Sequence, residues 1–391
     1  MTTLSTKNNS FNIQKKAITR IVILIGFILI LFISPFRPQK NFLPLSTGNE
    51  KNTKASAAAE IKQKDTLPEK IKELNLLYSK SSELERILGN LEAIVTLWQS
   101  VDKQTQELQL SENIQTTLQK DQTLTIVSNE ITQELQRTQS AIKALSADIK
   151  KLLSSTEHAS FRFNAKDARY TCFIFDISDK KYDISFHLKN SQASNYHSIS
   201  NLHSYLSGQK DKEILMITNA GMFRPDYSPQ GLFIEDAKTI QITDTSDIDN
   251  KTNFYMFPNG VFAIDTHGNP YVLQTSEYLK TEQKSMKFAT QSGPMLVING
   301  QLHPRFIKGS SNTNIRSGVG IPFEDNTRLL FIISDIEVNF YDFASVFKDF
   351  FGCKNALYLD GAISMLYAKD VHRNAVPKGN FGPLISVTRQ K

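Results

Sequence analysis

Cysteine is scarce in this chain of 391 residues, and its scarcity excludes several kinds of site. The only two cysteines are Cys172 and Cys353, and their separation fits neither a zinc motif nor a CxxC redox motif. The sequence therefore predicts no metal site and no cofactor, although it leaves a requirement for a divalent metal open. We expect both thiols to be small buried residues, while an oxidising compartment would let them pair.

The chain also lacks the short motifs of several common activities. It contains no GxxxxGK[ST], no GxSxG and no HExxH, and its seven histidines are scattered, which argues against those catalytic templates. His303, which precedes a proline, is expected to be structural. The net charge of +6 is spread over 45 basic and 39 acidic residues. Without a basic block, the charge pattern predicts no nucleic-acid partner.

One long apolar run is present, Ile21 to Ile33, and it follows a head that contains basic but no acidic residues. A basic head followed by an apolar core is typical of an export signal. Because no small-x-small cleavage site follows closely, we expect an uncleaved signal anchor at residues 17–36. Residues 1–16 would be cytoplasmic, and the C-terminal domain would lie in the periplasm or outside the cell. A cleaved signal peptide and a buried helix are the alternatives.

Proline is absent between Pro68 and Pro225, and the first part of this interval has helical periodicity. After a patternless linker at residues 37–65, apolar residues recur every three or four positions from Leu84 to Leu108. They recur again, out of phase, from Leu124 to Leu152. This spacing predicts a coiled-coil helical region at residues 66–155. The phase change indicates either a stammer in one helix or the bend of a helical hairpin. A homo-oligomer or protein-partner surface is the expected role.

Beyond residue 155 the sequence changes to short apolar runs separated by glycine-rich turns. Two adjacent runs, Tyr170–Ile177 and Tyr182–Leu188, resemble a hairpin. Asn299-Gly300 is a hairpin turn, and the segments 316–320 and 328–333 are expected to pair. Many strands with few helices predict an α+β domain of mixed sheets and helices at residues 156–391.

Four turns of this domain place a polar side chain beside a glycine at or near a strand end. Glycine lets the backbone approach a ligand and can expose N–H groups to an anion, while arginine supplies a fork for phosphate. The turns provide eight candidate site residues: Asn219, Gly221, Ser292, Gly293, Arg316, Asp360, Gly361 and Ser364.

These turns and one further segment occur in the order found in a known family. The segments are Asn219-Ala-Gly-Met-Phe, Pro258-Asn-Gly-Val-Phe, Gln291-Ser-Gly-Pro-Met-Leu-Val, Arg316-x-Gly-Val-Gly and Asn355-Ala-Leu-Tyr-Leu-Asp-Gly. Over roughly residues 168–390 the chain resembles the phosphodiester glycosidase domain family, which includes the lysosomal uncovering enzyme. It looks especially like bacterial envelope members. One departure is Ala362-Ile363, which separates the Asp-Gly pair from Ser364.

The resemblance implies a hydrolase that cleaves a sugar-1-phosphodiester on the glycosidic side, with a glycan or glycolipid as substrate. Asn219, Arg316 and Asp360 match polar motif positions of the family. In a chemical interpretation, Arg316 and N–H groups around Gly221 and Gly293 clamp the phosphate. Asp360 acts as base, nucleophile or hydroxyl acceptor, while Asn219 and Ser364 orient the sugar.

Two questions stay open from the sequence. A second carboxylate, if one is used, could be Asp226, Asp335 or Glu337. A non-catalytic phosphoglycan-binding module on the same fold is the first alternative function, because a fold does not guarantee an activity. A coiled-coil scaffold in an envelope complex is the second.

Overall fold

The computed structural model describes residues 66–107, 120–165, 168–246, 252–281, 285–322, 327–360, 364–371 and 379–391. The predicted linker lies outside these ranges, and so does the predicted anchor at residues 17–36. Within them, no helix combines the length and the apolarity that a membrane span requires. The chain divides into two compact units. The described part of the first unit consists of residues 80–107 and 120–139. The second unit contains residues 66–79 and the described residues from 140 to 391.

Two long helices, α1 (Leu67–Glu107) and α2 (Lys120–Ser155), account for the heptad pattern. Lys70 bonds Asp148 at 3.2 Å, and Lys80 bonds Glu134 at 2.6 Å. The residue that comes later in α1 is bonded to the residue that comes earlier in α2. This is the order expected of the hairpin alternative. Its bend would fall in residues 108–119, outside the described part. A role in oligomers or partner binding stays a prediction.

The described strands, numbered β1 to β16 along the chain, form three sheets in which every described strand pair is antiparallel. Sheet A has the order β1 (His158–Ala165), β2 (Ala168–Asp176), β13 (Arg328–Ser334), β12 (Ser317–Gly320), β14 (Ala356–Asp360), β10 (Met295–Ile298) and β11 (Gln301–Leu302). Sheet B has the order β15 (Leu366–Ala368), β4 (Lys212–Asn219), β16 (Leu384–Gln390) and β3 (Tyr182–His187). Sheet C has the order β6 (Lys238–Gln241), β5 (Phe233–Glu235), β9 (Met286–Ser292), β7 (Gly260–Asp265) and β8 (Pro270–Gln274).

Short helices complete the second unit. They are α3 (Ile199–Ser207), α4 (Thr275–Tyr278), α5 (Phe340–Ser345) with a π-helical turn at Val346–Phe350, and a 3₁₀ turn at Asn253–Tyr255. The predicted α+β class is confirmed. The Asn299-Gly300 turn joins β10 to β11, and β12 pairs with β13, as predicted.

The predicted hairpin of residues 170–188 is wrong. β2 lies between β1 and β13 in sheet A, whereas β3 pairs with β16 in sheet B. The burial patterns explain the separation, because the interior of β2 is buried on both faces while β3 is buried on alternate residues only. A central strand of one sheet and an edge strand of another therefore follow each other in the chain.

The largest cores lie on the two faces of sheet A. One face packs against α5, the π-helical turn and the ends of α1 and α2 that belong to the second unit, while the other face packs against sheets B and C. Leu74, Ile149 and Leu153 are fully buried in the first of these cores. The predicted boundary at residue 156 stays a prediction, but these helix ends contribute side chains to the core of the second unit.

We expect Leu153→Ala to lower the free energy of unfolding by about 2–5 kcal/mol, because it leaves a cavity in a packed core. The matched control is Leu76→Ala, since Leu76 is 71% exposed and its truncation should change stability by less than about 0.5 kcal/mol. Urea unfolding followed by circular dichroism measures both. Equal stability of the two variants would show that the helix end is not part of the core.

Candidate active site

Three of the predicted site residues lie near one point where sheets A and B meet. Asn219 ends β4 and is 1% exposed, Asp360 ends β14 and is half-buried, and Ser364 follows it at 9% exposure. Ser317, the first residue of β12, joins them and pairs with Asp360 in the sheet. We call Asn219, Ser317, Asp360 and Ser364 the polar cluster.

Hydrogen bonds link all four members of the polar cluster. Asn219 Nδ2 donates to Ser317 Oγ at 3.1 Å, and the hydroxyls of Ser364 and Ser317 are bonded to each other at 2.9 Å. The Asp360 carbonyl oxygen is within bonding distance of both hydroxyls, at 3.4 Å for Ser317. Asn219 Oδ1 also accepts from the Met365 amide at 3.2 Å. The cluster thus fixes the chain on both sides of residues 361–363. These three residues, which include the predicted site residue Gly361, lie outside the described part of the chain.

The end of β9 reaches the same place from sheet C. Ser292 is fully buried, and its hydroxyl donates to the carbonyl of Leu359 at 2.7 Å. This bond holds the end of β9 against the residue that precedes Asp360. All three sheets therefore supply a residue to the neighbourhood of Asp360.

The two candidate glycines within the described residues, Gly221 and Gly293, lie where backbones pass closely. A Cβ on Gly221 would come within 2.2 Å of the Gln291 carbonyl oxygen, and one on Gly293 within 2.7 Å of the Phe254 carbonyl oxygen. The Gly221 amide donates to Thr290 Oγ1 at 3.1 Å. Both positions require glycine for packing, and an anion-binding role for their neighbourhood stays a prediction.

Gly221→Ala should therefore be strongly destabilising, because the added methyl overlaps a backbone oxygen that has no rotamer to escape into. We expect a loss of about 1–3 kcal/mol in the free energy of unfolding. Gly89→Ala is the control, since nothing lies within 4 Å of its Cβ in α1, and it should not lose stability. A Gly221→Ala protein as stable as the parent would contradict the close packing.

Arg316 is not brought to the polar cluster. Adjacent strand residues face opposite sides, so while Ser317 faces Asn219, the Arg316 side chain enters the core on the other face of sheet A. Its Nε donates to the Val338 carbonyl at 2.7 Å and its Nη2 to the Asn312 carbonyl at 2.9 Å. Its guanidinium carbon lies 3.6 Å from the centre of the Phe340 ring. The side chain is 0% exposed, so this geometry gives no support to a phosphate clamp.

Tyr358, two residues before Asp360, is affected by both the Arg316 cation and the Asp360 carboxylate. Burial raises the pKa of the Tyr358 phenol, Arg316 lowers it and the Asp360 carboxylate raises it further. The net shift is upward, so the phenol stays protonated at neutral pH. Arg316 Nη1 donates to Tyr358 Oη at 3.4 Å. The neutral phenol of Tyr358, which lies on the same strand as Asp360, therefore contacts the buried guanidinium of Arg316.

The three candidates for a second carboxylate make no described contact with the polar cluster. Asp335 is held by Thr171 at 2.7 Å and by Arg169 at 3.0 Å. Asp226 caps its own turn through Ser228, and Glu337 accepts from Thr313 at 3.3 Å.

His303, Cys172 and Cys353 have structural surroundings. His303 Nε2 lies 3.0 Å from the Phe257 carbonyl, and burial lowers the pKa of its ring. Both cysteines are buried and free, as expected. In the part of the chain that the structure describes, no three His, Cys, Asp or Glu residues are grouped to hold a metal.

Ser317 was missed by the sequence reasoning. It stands between Arg316 and Gly318, and the arginine was the more conspicuous side chain. Strand alternation was the available signal, because it places Ser317 and Arg316 on opposite faces. It could not show which of the two faces carries the site.

An antiparallel α+β domain in which buried polar side chains from three sheets gather around the strand end at Asp360 is of a kind that suits a hydrolase. The family model described as phosphodiester glycosidase matches residues 212–384, a range that contains every predicted site residue. A curated relative, the uncharacterized protein YigE of Escherichia coli (strain K12), is 35% identical over 192 residues. That match covers 48% of this chain and 72% of the relative. The chain belongs to the phosphodiester glycosidase family.

Two solved structures are more distant. The catalytic domain of zebrafish N-acetylglucosamine-1-phosphodiester alpha-N-acetylglucosaminidase, auto-inhibited by its pro-peptide, has a TM-score of 0.42 at 14% identity. The match covers 60% of this chain and 84% of that one. A hypothetical protein from Synechocystis has a TM-score of 0.38 at 11% identity, with 59% of this chain and 61% of that one covered.

Proposed function

We propose that this protein hydrolyses a sugar-1-phosphodiester at the glycosidic bond, with Asp360 as its reactive carboxylate. The observation that carries the proposal is the convergence of Asn219, Ser317 and Ser364 on the strand end that presents Asp360. Family membership supports a hydrolase-type role. The sugar and the group on the other side of the phosphate are parts of the proposal that rest on the family alone.

In the proposed reaction, water attacks the anomeric carbon as the bond from that carbon to the phosphate oxygen breaks. The bonding electrons leave with the phosphate oxygen, and the proton of the attacking water passes to the Asp360 carboxylate and then to solvent. A phosphate leaving group needs little protonation, so the demand on the protein is to stabilise an oxocarbenium-like sugar and hold the phosphate.

Within this mechanism, Asn219, Ser317 and Ser364 act as positioning residues. Their side chains bond to one another and to the Asp360 carbonyl, so they fix the backbone that carries the carboxylate. We assign Arg316 a structural role beneath the same strands, because its guanidinium is already bound to two carbonyls.

The test is hydrolysis of methyl N-acetylglucosamine-1-phosphate by the full-length chain in ¹⁸O-labelled water. Cleavage on the glycosidic side places the label on the released sugar and yields an unlabelled methyl phosphate. Label in the phosphate would show attack at phosphorus and would overturn the proposal. If the protein binds the diester without releasing sugar, the non-catalytic binding module is the correct function.

We also propose that residues 17–36 anchor the protein in the cytoplasmic membrane and that the helical region offers a partner or homo-oligomer surface. The apolar run of the sequence supports the first part and the heptad spacing the second. Membrane fractionation of the full chain and of a variant lacking residues 17–36 tests the anchor. Replacing residues 80–139 with a short linker tests the scaffold alternative. If cells that carry this variant have the same phenotype as cells that carry the parent protein, the scaffold alternative is excluded.

A further inference from the structure

A pocket apart from the polar cluster lies on the outer face of sheet B. Its volume is about 360 Å³, and the side chains that line it include Asp183, Ser185 and His187 of β3 with Ser386 and Thr388 of β16. No residue of the polar cluster lines it. Nothing in the proposed hydrolysis makes use of it.

The polar side chains on the outer face of β3 and β16 do not contribute to the core between the sheets. The opposite face of β3 carries Ile184 and Phe186, which are buried in the core between the sheets. On the outer face, the apolar residues Ile214, Ile217 and Leu384 are covered by α3. The outer face is therefore divided into an apolar part beneath a helix and a polar part that opens as a pocket.

Two hydroxyl residues at the floor of the pocket are almost fully buried. Ser386 is 1% exposed and Thr388 is 3% exposed. His187 Nε2 lies 2.8 Å from Ser386 Oγ, and burial lowers the pKa of His187 to about 4, so the ring is neutral at physiological pH. The floor thus presents uncharged groups that both donate and accept hydrogen bonds.

The charges around the pocket balance. Lys212 Nζ bonds Asp183 Oδ2 at 2.8 Å, while Lys189 and Glu235 add one charge of each sign to the lining. A site with paired charges has no net field to select an anion or a cation, which favours an uncharged, hydrogen-bonding ligand.

Two tyrosines give the pocket an aromatic wall. Tyr196 and Tyr205 have ring centroids 5.6 Å apart, and Tyr196 also lies edge-on to His187. Tyr205 is 47% exposed and Tyr196 only 6%, so an inner ring is fixed by packing and an outer ring is left open. Tyrosine combines an apolar face with a polar tip, which matches a pyranose, whose C–H face is apolar and whose edge carries hydroxyls.

We propose that this pocket is a glycan-binding subsite that holds a neutral pyranose unit separately from the reaction site. Tyr205 stacks on the sugar ring, and the Ser185, His187 and Ser386 side chains bond its hydroxyls. His187 pairs with Leu384, which pairs with Asn219, so two strand spacings, about 10 Å, separate the His187 and Asn219 backbones. The subsite and the polar cluster therefore occupy neighbouring parts of the same sheet.

Saturation-transfer NMR and titration of the full-length chain with methyl N-acetylglucosaminide, methyl glucoside and glucuronate test this subsite. We expect at least one neutral glycoside to bind with a Kd on the order of 1 mM and glucuronate to bind more weakly. Tyr205→Ala should weaken binding roughly tenfold, while Tyr205→Phe, which keeps the ring, should stay close to the parent. Asp360→Asn, which changes the reaction site and not this pocket, should leave binding of the neutral glycoside unchanged.

Three results would overturn the subsite. The first is the absence of binding for both neutral glycosides. The second is preferential binding of glucuronate that Lys189→Glu abolishes, which would identify an anion site. The third is binding that survives Tyr205→Ala but is lost in Asn219→Ala, which would place the sugar at the polar cluster. Because Tyr205 is exposed, circular dichroism of Tyr205→Ala separates loss of binding from loss of fold.

Discussion

Replacing Asp360 with asparagine should reduce turnover of a sugar-1-phosphodiester by about 10²–10⁴-fold while leaving the fold intact. Asparagine preserves the shape of the side chain but cannot take up a proton from the attacking water. The described hydrogen bonds of residue 360 to Ser317 and Ser364 use its carbonyl oxygen, so the substitution leaves them in place. Initial rates of sugar release by the full-length chain, with thermal unfolding measured in parallel, check the expectation.

Asp236→Asn is the matched control for this substitution. Its side chain is 79% exposed, and the residue has a positive φ of 51°, which asparagine tolerates well. It should retain full activity. If Asp360→Asn keeps more than about a tenth of the turnover, a proton-transfer role for Asp360 is wrong. A melting temperature that falls together with turnover would assign the loss of activity to the fold rather than to the chemistry.

The strand ends that carry the site could be predicted from the sequence. Ala356 to Leu359 is an apolar run that stops at a carboxylate, and the structure has a buried strand there that ends at Asp360. The run that ends at Asn219 is likewise a buried strand. Such predictions succeed because a short apolar run bounded by polar and glycine residues has few other stable conformations.

Long-range pairing could not be predicted in the same way. β2 pairs with β13, which comes from a distant part of the chain, whereas chain proximity suggested β3. Local sequence records how many faces of a strand are buried but not which distant strand covers an edge. A signal was nevertheless present, because Cys172 to Phe175 is continuously apolar while Asp183, Ser185 and His187 alternate with apolar residues, which is typical of different environments.

The role of Arg316 depended on information that the sequence lacks. Arginine beside glycines predicts an anion site when its side chain reaches solvent, and the same residue type serves as a buried anchor when carbonyl groups surround it. The carbonyls that decide the matter belong to Asn312 and Val338, and Val338 lies on a separate segment. Only the folded arrangement shows that the guanidinium is already occupied.

Arg316→Ala should therefore act on stability rather than on substrate affinity. The change removes two hydrogen bonds from a charged donor, each worth about 1.5–3 kcal/mol, although the Val338 carbonyl keeps the Asn314 amide as a donor. It also removes the stacking on Phe340. We expect the free energy of unfolding to fall by about 3–5 kcal/mol. Arg316→Lys should recover only part of the loss, because an ammonium cannot bridge both carbonyls in the planar geometry of the guanidinium.

Urea unfolding followed by tyrosine fluorescence measures the loss, with exposed Arg305→Ala as the matched control. A stable Arg316→Ala protein whose KM for the diester rises at least about tenfold, or roughly 1.4 kcal/mol, would instead establish Arg316 as the phosphate clamp that the motif predicted.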